Sequence, residues 1–179
     1  MRKFELNEES VLVPVALAIL IGIILGGLNA IAIAGFEIPT LIATLGTAGI
    51  FRGFMLSFIG ASFISDIPLG LDNFSTADLI KFESEAGTLV RLHVLVIPVA
   101  LITLAVSLLL NRTIFGRSVY ALGGGVESTR RLGISVKRTQ AKIYMLVGGL
   151  SGLAGILYVS LQRKANPYDL AGSELDVIA

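Results

Sequence analysis

The residues best placed to do chemistry lie in one stretch, Asn111 to Ile143, which reads NRTIFGRSVYALGGGVESTRRLGISVKRTQAKI. It holds Arg112, Arg117, Arg130, Arg131, Lys137, Arg138 and Lys142 against a single acid, Glu127, and so carries half of the 14 basic residues of the chain. The glycine run Gly123-Gly124-Gly125 invites a nucleotide-loop reading, but a phosphate loop needs G-x-x-x-x-G-K-[ST] after a strand. GGGVESTR has no such lysine. If ATP is used, another chain binds it. The chain has 0 Cys and 1 His, so no thiolate metal site or thiol nucleophile can form. No acid–base or metal-ligand constellation stands out either, which ranks an integral membrane enzyme last. The chemistry open to this segment is recognition of a partner by exposed charge.

The elements that present these charges follow from glycine and helix periodicity. Val126 to Leu132 has a short helical pattern, opened by the glycine run and closed by Gly133, which suits a left-handed helix stop. Glu127 and Arg131 stand four apart, where an ion pair contributes a few tenths of a kcal/mol. The segment is therefore expected to be a one- to two-turn helix tied at both ends by glycine, a polar knob able to push on the spans beside it.

Those spans are read from the spacing of charge. Ser10–Phe36 holds no charged residue over 27 positions, and Leu92–Asn111 and Ile143–Gln162 hold none over 20 each. A helix needs about 20 apolar residues to cross the roughly 30 Å bilayer core. A fourth span, Ile38–Gly60, carries Arg52, which must face protein, water or a headgroup because a lipid-facing Arg is costly. Pro39 suits its first turn, and Gly46–Gly49 is a candidate break. The sequence predicts spans at about 11–34, 38–60, 93–111 and 142–162, an outer loop at 61–92 and an inner loop at 112–141. Glycines four apart (Gly22/Gly26, Gly49/Gly53, Gly148/Gly152) predict close helix approach in lipid. Asn29, Thr44, Thr47 and Gln162 are polar positions within or beside spans, able to bond a hydroxylated solute or a neighbouring helix. His93 begins a span and needs no special role.

Composition supports this class. The chain has 179 residues, 54% hydrophobic and 15% charged, with a mean hydropathy of +0.84. Soluble domains average about 25% charged residues. A formal net charge of +1 suggests no nucleic-acid partner. The basic loop 112–141 is assigned to the cytoplasm and the acidic 61–92 to the outside, since short cytoplasmic loops are enriched in Lys and Arg. That places both ends of the chain outside, although MRKFELNEES offers no signal pattern for export.

FGRSVYALGGGVESTRRLGISVKRTQAKIYMLVGGLSGLAGILYVSLQ resembles the permease subunit of bacterial ABC importers for monosaccharides, the ribose, galactose and xylose type. IPTLIATLGTAGIFRG is similar to an earlier span of the same family, and the resemblance runs from about Gly22 to Ala179. It implies an all-α polytopic membrane helix bundle, with about four spans forming part of a larger permease fold in the bacterial inner membrane. It further implies that the four spans are interior ones of a longer protein, which accounts for the topology. In that family the loop helix near 126–133 couples to a separate ATP-binding subunit. Glu127-Ser128-Thr129 align with the family's Glu-Ala-Ala, and Gly133-Ile134 with its Gly-Ile; Gly125 and Val126 depart from it. The resemblance thus implies ATPase docking by Glu127, Ser128, Thr129, Arg130, Arg131 and Gly133, and no cofactor. Its other implied partners are a periplasmic sugar-binding protein and a second permease copy or homologue. Arg130 and Arg131 serve either that docking or attraction to anionic membrane lipid. The competing readings are an ion-coupled secondary transporter or channel, and a truncated fragment that does not transport. Ion-coupled carriers usually place carboxylates inside spans, whereas here only Glu37 sits at a span boundary.

Overall fold

The computed structural model describes residues 11–60, 78–83 and 89–166. MRKFELNEES, most of the 61–92 connection and the C-terminal SELDVIA lie outside the described residues. Helix α1 (Leu12–Ala30) continues as a π-turn (Ile31–Gly35) and is followed by α2 (Thr40–Ile59). Strands β1 (Asp78–Glu83) and β2 (Leu89–His93) come next, then α3 (Val96–Arg112), α4 (Ile114–Gly124), α5 (Val126–Arg131) and α6 (Val136–Gln162). Leu12–Gly35, Thr40–Phe58 and Val136–Gln162 are each long and apolar enough to cross a membrane, and α3 with α4 adds a bent fourth candidate. At 1.5 Å per residue these three helices rise about 36, 28 and 40 Å. The expected helical membrane bundle is what the chain forms, and the long connection adds an antiparallel two-stranded hairpin pairing Lys81 with Arg91 and Phe82 with Val90.

Proline marks where spans begin. Pro14 and Pro98 lie in the first turns of α1 and α3, where a missing N–H costs nothing. Pro39 stands one residue earlier than expected, at the N-cap of α2 in an extended conformation. The break considered near Gly46–Gly49 does not occur, and α2 runs unbroken through both glycines. In lipid a helix keeps every backbone bond inside the segment, so interior glycine alone does not end it.

The main packing is the antiparallel crossing of α1 and α6. Gly22 lies against the carbonyl of Gly148, Gly26 against that of Tyr144, and Gly152 against that of Ala18. A Cβ at any of the three would overlap that backbone, so only glycine allows this approach. Two of the three glycine pairs in the sequence therefore pack against each other. The third, Gly49/Gly53, faces open space. A cross-helix hydrogen bond from Thr47 Oγ1 to Asn29 Oδ1 (2.6 Å) ties α2 to α1. Among the described residues the buried apolar side chains are few (Ala30, Ile33, Ala34, Ala43, Leu95), while Leu20, Leu41, Ile50 and Leu101 are exposed. Such faces belong against lipid or further helices, since the membrane does not require an apolar core.

Candidate functional site

The basic stretch contains an element that periodicity did not isolate. After α3 the chain turns by 77° into α4. Thr113 makes the corner: extended itself, its Oγ1 accepts from the amide of Gly116 (3.1 Å) and donates to the carbonyl of Leu109 (2.6 Å). Gly116 is buried against the backbone of Leu110, where a Cβ would overlap the carbonyl. The glycine of the FGR triplet is thus a requirement of the bend.

Gly125, at φ +145, separates α4 from α5, a backbone state open to glycine and costly for other residues. Thr129 is completely buried, and its Oγ1 donates to the Gly125 carbonyl at 2.7 Å. Ser128 Oγ donates to the same carbonyl at 2.9 Å. The far end closes with paired bonds, Gly133 N to Arg130 O (3.0 Å) and Ile134 N to Thr129 O (3.3 Å), with Gly133 at φ +74. This is the Schellman arrangement, and it satisfies carbonyls a short helix would leave open. Six residues could not hold a helix alone; here both ends are fixed.

The six residues expected to dock a partner therefore divide. Thr129 and Gly133 shape the element from within. Glu127, Ser128, Arg130 and Arg131 form its exposed face. Arg131 Nε lies 3.6 Å from Glu127 Oε1 with both side chains largely in solvent, so the pair contributes little stability and leaves both charges available. Leu132, 69% exposed, adds an apolar anchor at the edge of the charged face. Among the described residues nothing covers it.

A second contact at this end of the bundle was not apparent from sequence. Glu37, in the turn between α1 and α2, accepts from Lys137 Nζ at 3.0 Å. The hydrogen bond and charge of Lys137 hold the Glu37 carboxyl below its ordinary range, with a smaller pull from Arg130. The first turn of α6 carries no acid of its own, although negative charge is favoured at a helix N-terminus. Glu37 supplies it from another element, at φ +58, a left-handed conformation unusual for glutamate. The signal in the sequence was that Glu37 is an acid between two spans, next to Phe36 and Ile38.

Of the four polar positions considered for a solute path, Asn29, Thr44 and Thr47 lie together and Gln162 lies apart. Thr47 and Asn29 bond each other, and Thr44 Oγ1 donates to the Thr40 carbonyl of its own helix at 2.9 Å. Gln162 ends α6, eighteen residues or about 27 Å along the helix from Tyr144, whose hydroxyl reaches Thr40. Helix-to-helix bonding accounts for Asn29 and Thr47. Arg52 is half-buried within α2.

A family model described as branched-chain amino acid transport system / permease component matches residues 3–179. The chain is 38% identical over 159 residues to the autoinducer 2 import system permease protein LsrC of Klebsiella pneumoniae subsp. pneumoniae, covering 89% of this chain and 43% of that protein. To the protein of the same name from Yersinia pestis (strain Pestoides F) it is 35% identical over 143 residues, 80% of this chain and 38% of the relative. The Salmonella paratyphi B relative is 33% identical over 143 residues, 79% of this chain and 38% of its own length. The chain spans about two fifths of the length of these curated relatives. No solved structure matches it.

Proposed function

This chain belongs to the branched-chain amino acid transport system / permease component family, and on that premise we propose that it is part of the membrane-spanning subunit of an ATP-driven importer. It is a permease component of the inner membrane, multi-pass, and not an enzyme. The cargo we propose is a monosaccharide, or the autoinducer 2 named for its relatives. ATP is bound and hydrolysed on a separate subunit, and a periplasmic binding protein delivers the solute. A second permease copy or homologue completes the pathway.

The observation that carries this reading is the construction of α5. It is short, charged on its outer face, held from within by Thr129 and stopped by Gly133. A partner gripping Glu127, Arg130, Arg131 and Leu132 moves a stiff element whose displacement passes directly into α4 and α6. Energy then enters as a difference in contacts between two arrangements of one bundle. The end bearing α5 and the Glu37 turn is proposed to face the cytoplasm, as its excess of Lys and Arg supports.

Copurification tests this. The permease is expected to retain its ATP-binding subunit in detergent, and Glu127→Arg or Arg131→Glu to abolish retention and drive transport to background. Full ATPase recovery with either variant removes the docking assignment. Uptake driven by a proton or sodium gradient with no ATPase present removes the importer assignment.

A further inference from the structure

Where α4 crosses the first turns of α6 there is an open cavity of about 340 Å³. Arg138 and Lys142 line it, one helical turn apart on α6, with Ser118 and Ser135 beside them and Ile114, Phe115 and Ile134 as apolar wall. No acid lines it. Neither cation makes an ion pair among the described residues. Like charges at i and i+4 repel, and α6 brings no acid in its first turn to offset them. The cavity therefore gathers two like charges with no acid among its lining residues to offset them.

Lys142 also lines a second space, an apolar cleft of about 420 Å³ between α1 and α6, walled by Ile19, Ile23, Met145, Gly149 and Leu153. A third cleft, about 360 Å³, lies between α3 and α6 and shares Leu150 and Leu153 with the second. The polar mouth and the α1–α6 cleft share Lys142, and that cleft in turn shares Leu150 and Leu153 with the α3–α6 cleft about halfway along α6. The mouth sits where the charged start of α6 gives way to the uncharged run Ile143–Gln162, which is headgroup depth. A free anion has no use for the clefts. A neighbouring helix has no use for two unpaired cations.

We propose that the basic cavity and the adjoining α1–α6 cleft bind one anionic phospholipid, its phosphate between Arg138 and Lys142 and its acyl chains along the α1–α6 cleft toward Leu150 and Leu153. Basic pockets between membrane helices on the cytoplasmic side suit such headgroups. The proposal is independent of ATPase docking, since neither cation belongs to the face of α5.

The test is native mass spectrometry of the detergent-purified chain, stripped of lipid and titrated with phosphatidylglycerol, phosphatidylcholine or inorganic phosphate. Phosphatidylglycerol is expected to bind as one molecule and phosphatidylcholine far more weakly. The double substitution Arg138→Gln, Lys142→Gln is expected to weaken phosphatidylglycerol binding about thirtyfold. Arg112→Gln with Arg117→Gln, an equal loss of charge outside the cavity, leaves it unchanged. Leu153→Trp, which fills the clefts and spares both cations, also weakens binding, so the result does not hang on one variant. Circular dichroism checks that each variant keeps its helices. Equal binding of the two lipids, equal loss with the control pair, or displacement by inorganic phosphate at matching concentration overturns the proposal. So does failure of phosphatidylglycerol to bind the assembled transporter, which would mean a protein segment fills the clefts.

Discussion

Single residues at the basic end carry backbone states that decide whether α5 exists. Gly133 is the clearest. At φ +74, replacement by Val is expected to cost about 1–2 kcal/mol and to fray α5, read as faster amide exchange over residues 126–134. Glu37 gives a prediction in pH. Its carboxyl is held low chiefly by Lys137, so the stability it adds is present above the ordinary carboxylate range and is lost as pH falls through the lowered value. Glu37→Gln should therefore lower the melting temperature slightly at neutral pH, and the two proteins should converge in acid. The effect is small because the pair is exposed. The turn at Gly133 was legible in the sequence, since glycine just past a helical pattern has one common meaning. The Glu37–Lys137 contact was not. It joins residues a hundred positions apart, and no local pattern encodes that distance.

Helices tell a similar story of what spacing can and cannot reveal. Charge-free runs announced the spans, and glycines at four-residue spacing announced close crossings. Spacing did not say which glycines meet. Gly22→Leu is expected to force α1 from α6 and destabilise the bundle by at least about 1–3 kcal/mol. Gly49→Ala, where a side chain meets nothing within 4 Å, should be neutral. Thermal melting in one detergent separates the two, and an equal effect would refute the assigned crossing. The extent of α4 was missed because the 77° bend after α3 depends on Thr113 and Gly116 acting on the backbone. Charge counts see the arginines of that stretch and not the corner they follow.

For the whole molecule, the question is which end faces which compartment. α6 carries Lys137 near its start, ends at Gln162 and is long and apolar enough to cross a membrane, so those positions are expected on opposite sides. With 0 Cys in the chain, single-cysteine labelling has no background. Ser128→Cys and Glu37→Cys are expected to react only after the inner membrane is opened, and Gln162→Cys in intact spheroplasts. Reversal of that pattern would place the basic end outside and end the importer reading.

Where α1 meets α6, carbonyls sit directly on glycine at three points, and Ile19 and Ile23 pack against Gly149. That joint behaves as a weld. α2 holds to it by the Thr47–Asn29 bond and the longer Tyr144–Thr40 contact, and α3 reaches the rest of the chain through its corner. In the proposed importer, α1 and α6 would therefore move as one body, with α2 and α3 swinging about it.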